Sequence, residues 1–258
     1  MRIIRRHYNI WNIWRRSFQQ NKRAWLSNVF LLFFEPLVIL WAIGYGLGTF
    51  ITTIDGVTYP DFFFPALLCT SAMMVTFYES TYEFYSKLHH QKIYSNMLMT
   101  SISSSDIVIG EALWAASKGT LCAALLAIGA SLIGHMGNIL IVPSLIVIFI
   151  SCFLFAVIGF VFVTMIRNSL QLIYLLSGLA LPMSLLCGTY FPLRELPWIG
   201  PYLIYILPLT HVVALVRGFL LGGLIWWKIL LHLFYLSLLS VAIYHWACKR
   251  LEKKITDR

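Results

Sequence analysis

Apolar residues run along this chain in six blocks, each near the length of a bilayer crossing, and most of the charge is gathered in the connectors between them. The blocks fall at about 29–50, 62–84, 106–135, 139–166, 168–188 and 226–247. At ~1.5 Å per residue, roughly 20 residues cover a ~30 Å hydrocarbon core, so each block reads as a membrane-spanning helix. Ahead of the first block, helical spacing places Ile4, Tyr8, Trp11 and Phe18 on one side and Arg2, Arg5, Arg6 and Arg16 on the other, with Arg15 breaking the separation. Residues 1–25 are therefore expected to form an amphipathic helix lying on an anionic membrane surface, against the plainer reading of a solvated leader helix.

Two connectors do not read as plain loops. Residues 87–105 hold a short apolar cluster of Ile93, Tyr94, Met97, Leu98 and Met99, too short to span, with Ile93, Met97 and Leu98 on one helical face. Methionine-rich surfaces repack readily as a partner moves. Residues 188–223 carry Pro192, Pro197, Pro201 and Pro208, which remove backbone donors and forbid one continuous span. Tyr190, Phe191, Trp198, Tyr202 and Tyr205 are rings that settle at a membrane boundary, so this stretch reads as broken helices dipping into one face of the bilayer. About 36 residues barely make two spans without a turn, and both ends are expected on the outer side.

Composition agrees with a membrane class: 60% of the 258 residues are hydrophobic and 11% charged, with a mean hydropathy of +0.81. The net charge of +9 does not form a nucleic-acid face, because the basic residues sit at the two ends and in short connectors. Six spans with both termini cytoplasmic satisfy the positive-inside rule except at Arg194, Arg217 and Lys228. Arg194 has Glu195 beside it, and Arg217 has no partner evident in sequence. No short apolar core with a small-residue cleavage site follows the basic N-terminus, so no removable signal peptide is expected.

Little of the chain suggests chemistry. Cys69, Cys122, Cys152, Cys187 and Cys248 are scattered singly and read as reduced structural thiols, with no metal-ligand spacing around them. Gly44, Gly46 and Gly48 follow no strand and read as helix packing, not as a nucleotide fingerprint. Glu79, Glu83 and Lys87 share a face, with Glu83 and Lys87 in the favourable i,i+4 order for a solvated ion pair at the end of span two. Ser104 or Asp106 is expected to cap span three, with Glu111 in its early turns. Lys118 lies deeper, ~10 Å beyond Glu111 and too far to pair with it, and stands as a possible intramembrane polar site. His89 and His90 are adjacent and point apart on a helix, so they form no convergent catalytic cluster.

The order FP, LP-W, PLTH, then Arg217-Gly218 and Gly222-Gly223 resembles the last third of type-two ABC exporter permeases. YPDFFFPALLCTSAMMVTFYESTYEFYSKL and YSNMLMTSISSSDIVIGEALWAA are similar to segments of the NodJ-like branch, which is associated with lipo-oligosaccharide export. The resemblance implies one all-α integral membrane domain over 1–258, with six transmembrane helices, an N-terminal interfacial helix (1–25), a cytoplasmic coupling helix (87–105) and a re-entrant outer hairpin (188–223) between spans five and six. It also implies a bacterial inner-membrane location, a second copy of the chain, lipid surroundings and a separate ATPase subunit that binds ATP and Mg. The chain itself has no GxxxxGK[ST] loop and is expected to bind no cofactor or metal and to catalyse nothing. Ile93, Tyr94, Met97, Leu98, Met99 and Glu111 are the expected ATPase-coupling residues. Tyr190, Phe191, Pro192, Trp198, Pro208, Thr210, His211 and Arg217 are those of the outer gate. Ser101 stands where related permeases often carry proline. A lipid-linked or lipo-oligosaccharide cargo and an amphipathic drug both remain open, and a proton-driven carrier is disfavoured by the lack of buried acidic relays or inverted repeats.

Overall fold

The computed structural model describes residues 2–22, 26, 28, 30–51, 53–132, 140–166, 168–193, 202, 206–223 and 225–256. Its helices are α1 (Arg2–Lys22), α2 (Phe30–Gly48), α3 (Tyr59–His90), α4 (Ile93–Leu98), α5 (Ser104–Leu132), α6 (Ile141–Met165), α7 (Gln171–Leu186), α8 (Pro208–Leu221) and α9 (Trp226–Thr256). A minimal hairpin, β1 (Thr53–Ile54) and β2 (Val57–Thr58), joins α2 to α3. The hairpin was not foreseen, although Asp55-Gly56 signals a two-residue turn: both residues take positive φ (53° and 82°), as a type I′ turn requires.

The protein is a multi-spanning, predominantly α-helical membrane protein. Among the described residues, α3, α5, α6 and α9 are long and apolar enough to cross a bilayer. α2 and α7, expected as spans one and five, are shorter, with 17 and 16 residues in their apolar helical stretches. Both carry a widened turn beside a proline. In α7 the turn over Leu176–Ala180 widens to i→i+5 bonding just before Pro182, which absorbs the carbonyl that the proline cannot satisfy. Phe30–Phe34 widens in the same way ahead of Pro36.

Packing is built on α6, which contacts α3, α5, α8 and α9. Small residues allow this approach: Gly119 of α5 faces Ala72 and Thr76 of α3 and Cys152 of α6, and Gly159 of α6 faces Ser80 of α3. The five cysteines are free and buried among these helices. The cap of α5 is Ser103, not Ser104 or Asp106 alone. Asp106 Oδ2 accepts from the Ser103 N–H at 3.2 Å, and the Asp106 N–H donates back to Ser103 Oγ at 3.2 Å, a reciprocal box that defines where the span begins.

α1 lies against α5 where Gly110 leaves room for Ile13. Its inward face is Ile13 and Ser17, both buried, while Tyr8 and Trp11 are exposed and Trp14 and Phe18 flank Trp114 of α5.

Candidate functional site

A ladder of charged and amide side chains joins α1, α3 and α5 at the end of the bundle that carries α4. Lys87 and Glu111 form a buried pair at 2.7 Å, and Ser17 of α1 bridges them, accepting from Lys87 at 3.1 Å and donating to Glu111 at 3.3 Å. About two turns along α5, Lys118 meets Glu79 at 2.7 Å and donates to Asn21 Oδ1 at 3.0 Å. Trp114 Nε1 donates to the other Glu79 oxygen at 2.6 Å. Nearer the start of α5, Asp106 accepts from Asn9 at 3.2 Å and lies 3.5 Å from Arg6. α3 and α5 each carry both signs at different heights, so sliding one past the other would strand a buried charge.

This arrangement corrects one expectation and completes another. Lys87 does not form a solvated pair with Glu83, which is exposed. The turns through Glu79–Glu83 and Ser86–His90 are widened, so the i,i+4 register is lost and Lys87 turns inward to Glu111. Lys118, the candidate intramembrane polar residue, finds its partners in Glu79 and Asn21.

The short helix α4 hangs from this ladder. Lys92, at φ 51°, supplies the left-handed residue that turns the chain out of α3 into α4. Tyr94 is fully buried and stacks on Phe84 at 4.8 Å, which in turn lies 4.2 Å from Phe160. Burial, reinforced by the nearby Glu111 carboxylate, pushes the Tyr94 phenol well above its ordinary pKa. Ile93, Met97 and Leu98 are half-buried, Arg16 of α1 reaches Met97 Sδ at 3.9 Å, and Met99 is 85% exposed. Tyr94 therefore anchors α4 to the bundle, and the open surface centres on Met99.

At the other end, left-handed glycines delimit the proline-rich element: Gly188 at φ 77° and Gly222 and Gly223 at 84° and 90°. Arg217 of α8 donates to the carbonyls of Gly188 at 2.9 Å and Phe62 at 3.2 Å and lies over the Phe62 ring at 3.9 Å, so it ties three chain segments together. Tyr190 packs on Phe63 at 5.5 Å, and its carbonyl accepts from Tyr59 at 3.3 Å. His211 meets His232 of α9 Nδ1 to Nδ1 at 2.6 Å and stacks on Tyr235 at 4.2 Å. Pro208 opens α8 at its first turn and does not break it. Thr210 is buried, Phe191 is exposed and Pro192 is half-buried, whereas Trp198 lies outside the described residues.

Between α2, α3 and α7 runs a groove of about 360 Å³. α3 supplies Leu67, Thr70, Ser71, Met74, Val75 and Tyr78 at helical spacing, α7 supplies Ser177 and Ser184, Tyr190 lies at one end, and the exposed Glu35 of α2 completes it. Hydroxyls alternate with apolar groups along both helical walls. In sequence, Glu79 and Lys87 read only as part of a solvated helix end. The signal for the ladder was present: Glu79…Lys87 and Glu111…Lys118 have nearly equal spacing on consecutive spans, so antiparallel packing aligns each charge with its opposite.

Residues 8–221 match the family described as ABC-2 type transporter. The chain is 31% identical over 210 residues to nodulation protein J of Rhizobium leguminosarum bv. viciae, covering 81% of both proteins. It is 29% identical over 218 residues to nodulation protein J of Rhizobium meliloti (strain 1021), covering 83% of both. Against the same-named protein of Rhizobium leguminosarum bv. trifolii, identity is 30% over 210 residues.

Proposed function

We propose, from the premise that the chain belongs to the ABC-2 type transporter family, that it exports a lipid-linked or lipo-oligosaccharide-type amphipath across a bacterial cytoplasmic membrane. In such a system the ATPase activity resides on a separate nucleotide-binding subunit. The similarity to nodulation protein J over 81% of both chains carries this reading. The groove between α2, α3 and α7 supports it, because hydroxyls and Glu35 suit a polar head while the intervening leucines, methionine and valine suit an acyl tail. Cells lacking the protein should accumulate a lipid-linked glycan on the inner side, and the chemical class that accumulates tests the cargo. Accumulation of an amphipathic drug alone would favour the efflux alternative.

In this reading the 258 residues form one domain with six spans, α2, α3, α5, α6, α7 and α9, and both termini cytoplasmic. Two copies work with two ATPase subunits, and cargo passes between the copies. Residues 87–105 form the coupling element, with Met99 as the contact and the ladder as the rigid link that carries ATPase closure into α3 and α5. ATP binding would then bias an inward-facing to outward-facing equilibrium. Replacing Met99 by Asp puts a charge on an exposed apolar contact, and it should weaken co-purification with the ATPase or raise hydrolysis per molecule transported while leaving the permease's melting unchanged. Normal assembly and coupling in that variant would remove α4 from the pathway.

Residues 188–223 form the re-entrant outer gate, with Arg217 and the His211–His232 pair holding its broken ends. A Phe191→Cys variant should react with a membrane-impermeant maleimide added from outside, over a low background because the native thiols are buried. Reaction only from the cytoplasmic side would overturn this orientation.

A further inference from the structure

One flank of α1 carries a structure that coupling and gating leave unused. Trp11 stacks on Trp14 with ring centroids 4.9 Å apart, and Trp14 stacks on Phe18 at 5.5 Å. Trp14 and Phe18 both meet Trp114 of α5 edge-on, at 6.0 and 6.1 Å. Beside this aromatic rail a groove of about 430 Å³ opens between α1, α2 and α5. Its described lining includes two lysines, Lys22 and Lys118, and no acid. Lys118 is already neutralised by Glu79, so among the described lining residues the net charge comes from Lys22. The exposed Arg15 lies two turns back on the same side of α1, a helix with five arginines, one lysine and no acidic residue.

The groove does not end at the aromatic rings. Leu121, Ile128 and Leu132 of α5 are 51%, 58% and 82% exposed, and their spacing draws one apolar stripe ~16 Å long up the outside of the span. An apolar stripe of that length on a spanning helix faces hydrocarbon, and aromatic rings at its foot mark the headgroup level. Water or a soluble peptide would leave the stripe uncovered.

We propose that this groove binds one anionic glycerophospholipid of the leaflet on which α1 lies, with an acyl chain along Leu121 and its neighbours and the phosphate at Lys22. The bound lipid wedges α1 against α5 and so supports the helix whose Ser17 and Asn21 complete the ladder. Basic groups near an anionic lipid surface contribute about 1 kcal/mol each, which is roughly fivefold in affinity for Lys22 alone. A zwitterionic lipid would fill the apolar part without that preference.

The test is native mass spectrometry of the purified full-length chain in detergent, titrated with dioleoylphosphatidylglycerol or dioleoylphosphatidylcholine. Wild type should retain one phosphatidylglycerol roughly fivefold better than phosphatidylcholine. Lys22→Gln combined with Arg15→Gln should bring the two lipids level, and Leu121→Trp, which fills the groove from a half-exposed position, should lose both. Soluble glycerol phosphate should not displace the lipid. Equal retention of the two lipids by wild type, an unchanged preference in the Lys22 and Arg15 variant, or wild-type retention by a folded Leu121→Trp protein would each overturn the proposal. Should Leu121→Trp fail to fold, the lysine and arginine variant decides alone. Binding is read without a leaflet or an ATPase, so failure here leaves the exporter reading standing.

Discussion

Replacing Lys87 by Met should cost the protein about 3–5 kcal/mol, because it leaves Glu111 buried with its main counter-charge removed. The Lys87 and Glu111 side chains are each about 4% exposed, and Ser17 offers Glu111 a neutral donor. Water cannot reach in to replace the ammonium without opening the contact between α1 and α5. The double variant Lys87→Met, Glu111→Leu removes both charges together and should recover most of that stability, since apolar replacement of a whole buried pair is often neutral. Melting of the purified full chain in one detergent reads the cycle. A Lys87→Met protein that melts with wild type would show that the pair is solvated. The recovered double variant also separates stability from transmission. It lacks the charge that fixes the register of α3 on α5, so in complex with its ATPase it should hydrolyse ATP with transport reduced.

The long apolar helices were legible because length and hydropathy alone decide whether a segment tolerates hydrocarbon. α3, α5, α6 and α9 fall where the pattern puts them. The two ends of the proline-rich stretch carry a local signal as well: Gly188 and Gly222 take the positive-φ backbone that glycine adopts most readily. The ladder was not read, because its pairs join residues 24 and 39 positions apart. An i,i+4 rule sees Glu83 and Lys87 on one helix but not the widened turns that rotate Lys87 toward α5. Arg217 was hidden for another reason. Its partners are backbone carbonyls at Gly188 and Phe62, which every sequence contains and none advertises. Tyr94 illustrates the opposite error. An apolar cluster on a connector suggested an external partner, whereas its largest member, Tyr94, turns inward onto Phe84.

Gly119→Ala should be among the most damaging single methyl additions in this protein, and a second substitution should not rescue it. A methyl at Gly119 would meet Thr76 Oγ1, the Ala72 carbonyl oxygen at 2.7 Å and Cys152 Sγ at 2.9 Å. Thr76→Ala would clear only the first of these. The carbonyl belongs to the backbone of α3, so the helix itself must move, and overpacking of this kind costs about 1–3 kcal/mol or more. Gly159→Ala offers the contrast. Its methyl would meet Ser80 Oγ and Ser80 Cβ at 2.9 Å, but the Ser80 backbone carbon only at 3.5 Å, an ordinary contact. Gly159→Ala alone should therefore destabilise to a similar degree, while Ser80→Gly added to it removes both offending atoms. The alanine gains up to about 1 kcal/mol of helix propensity in α6, and the new glycine loses about as much in α3, so the double variant should melt close to wild type. Melting temperatures of the four proteins, together with surface-labelled yield in cells, test the pair. Rescue of Gly119→Ala by Thr76→Ala, or failure of Ser80→Gly to rescue Gly159→Ala, would mean that α3, α5 and α6 do not approach as closely as their small residues permit.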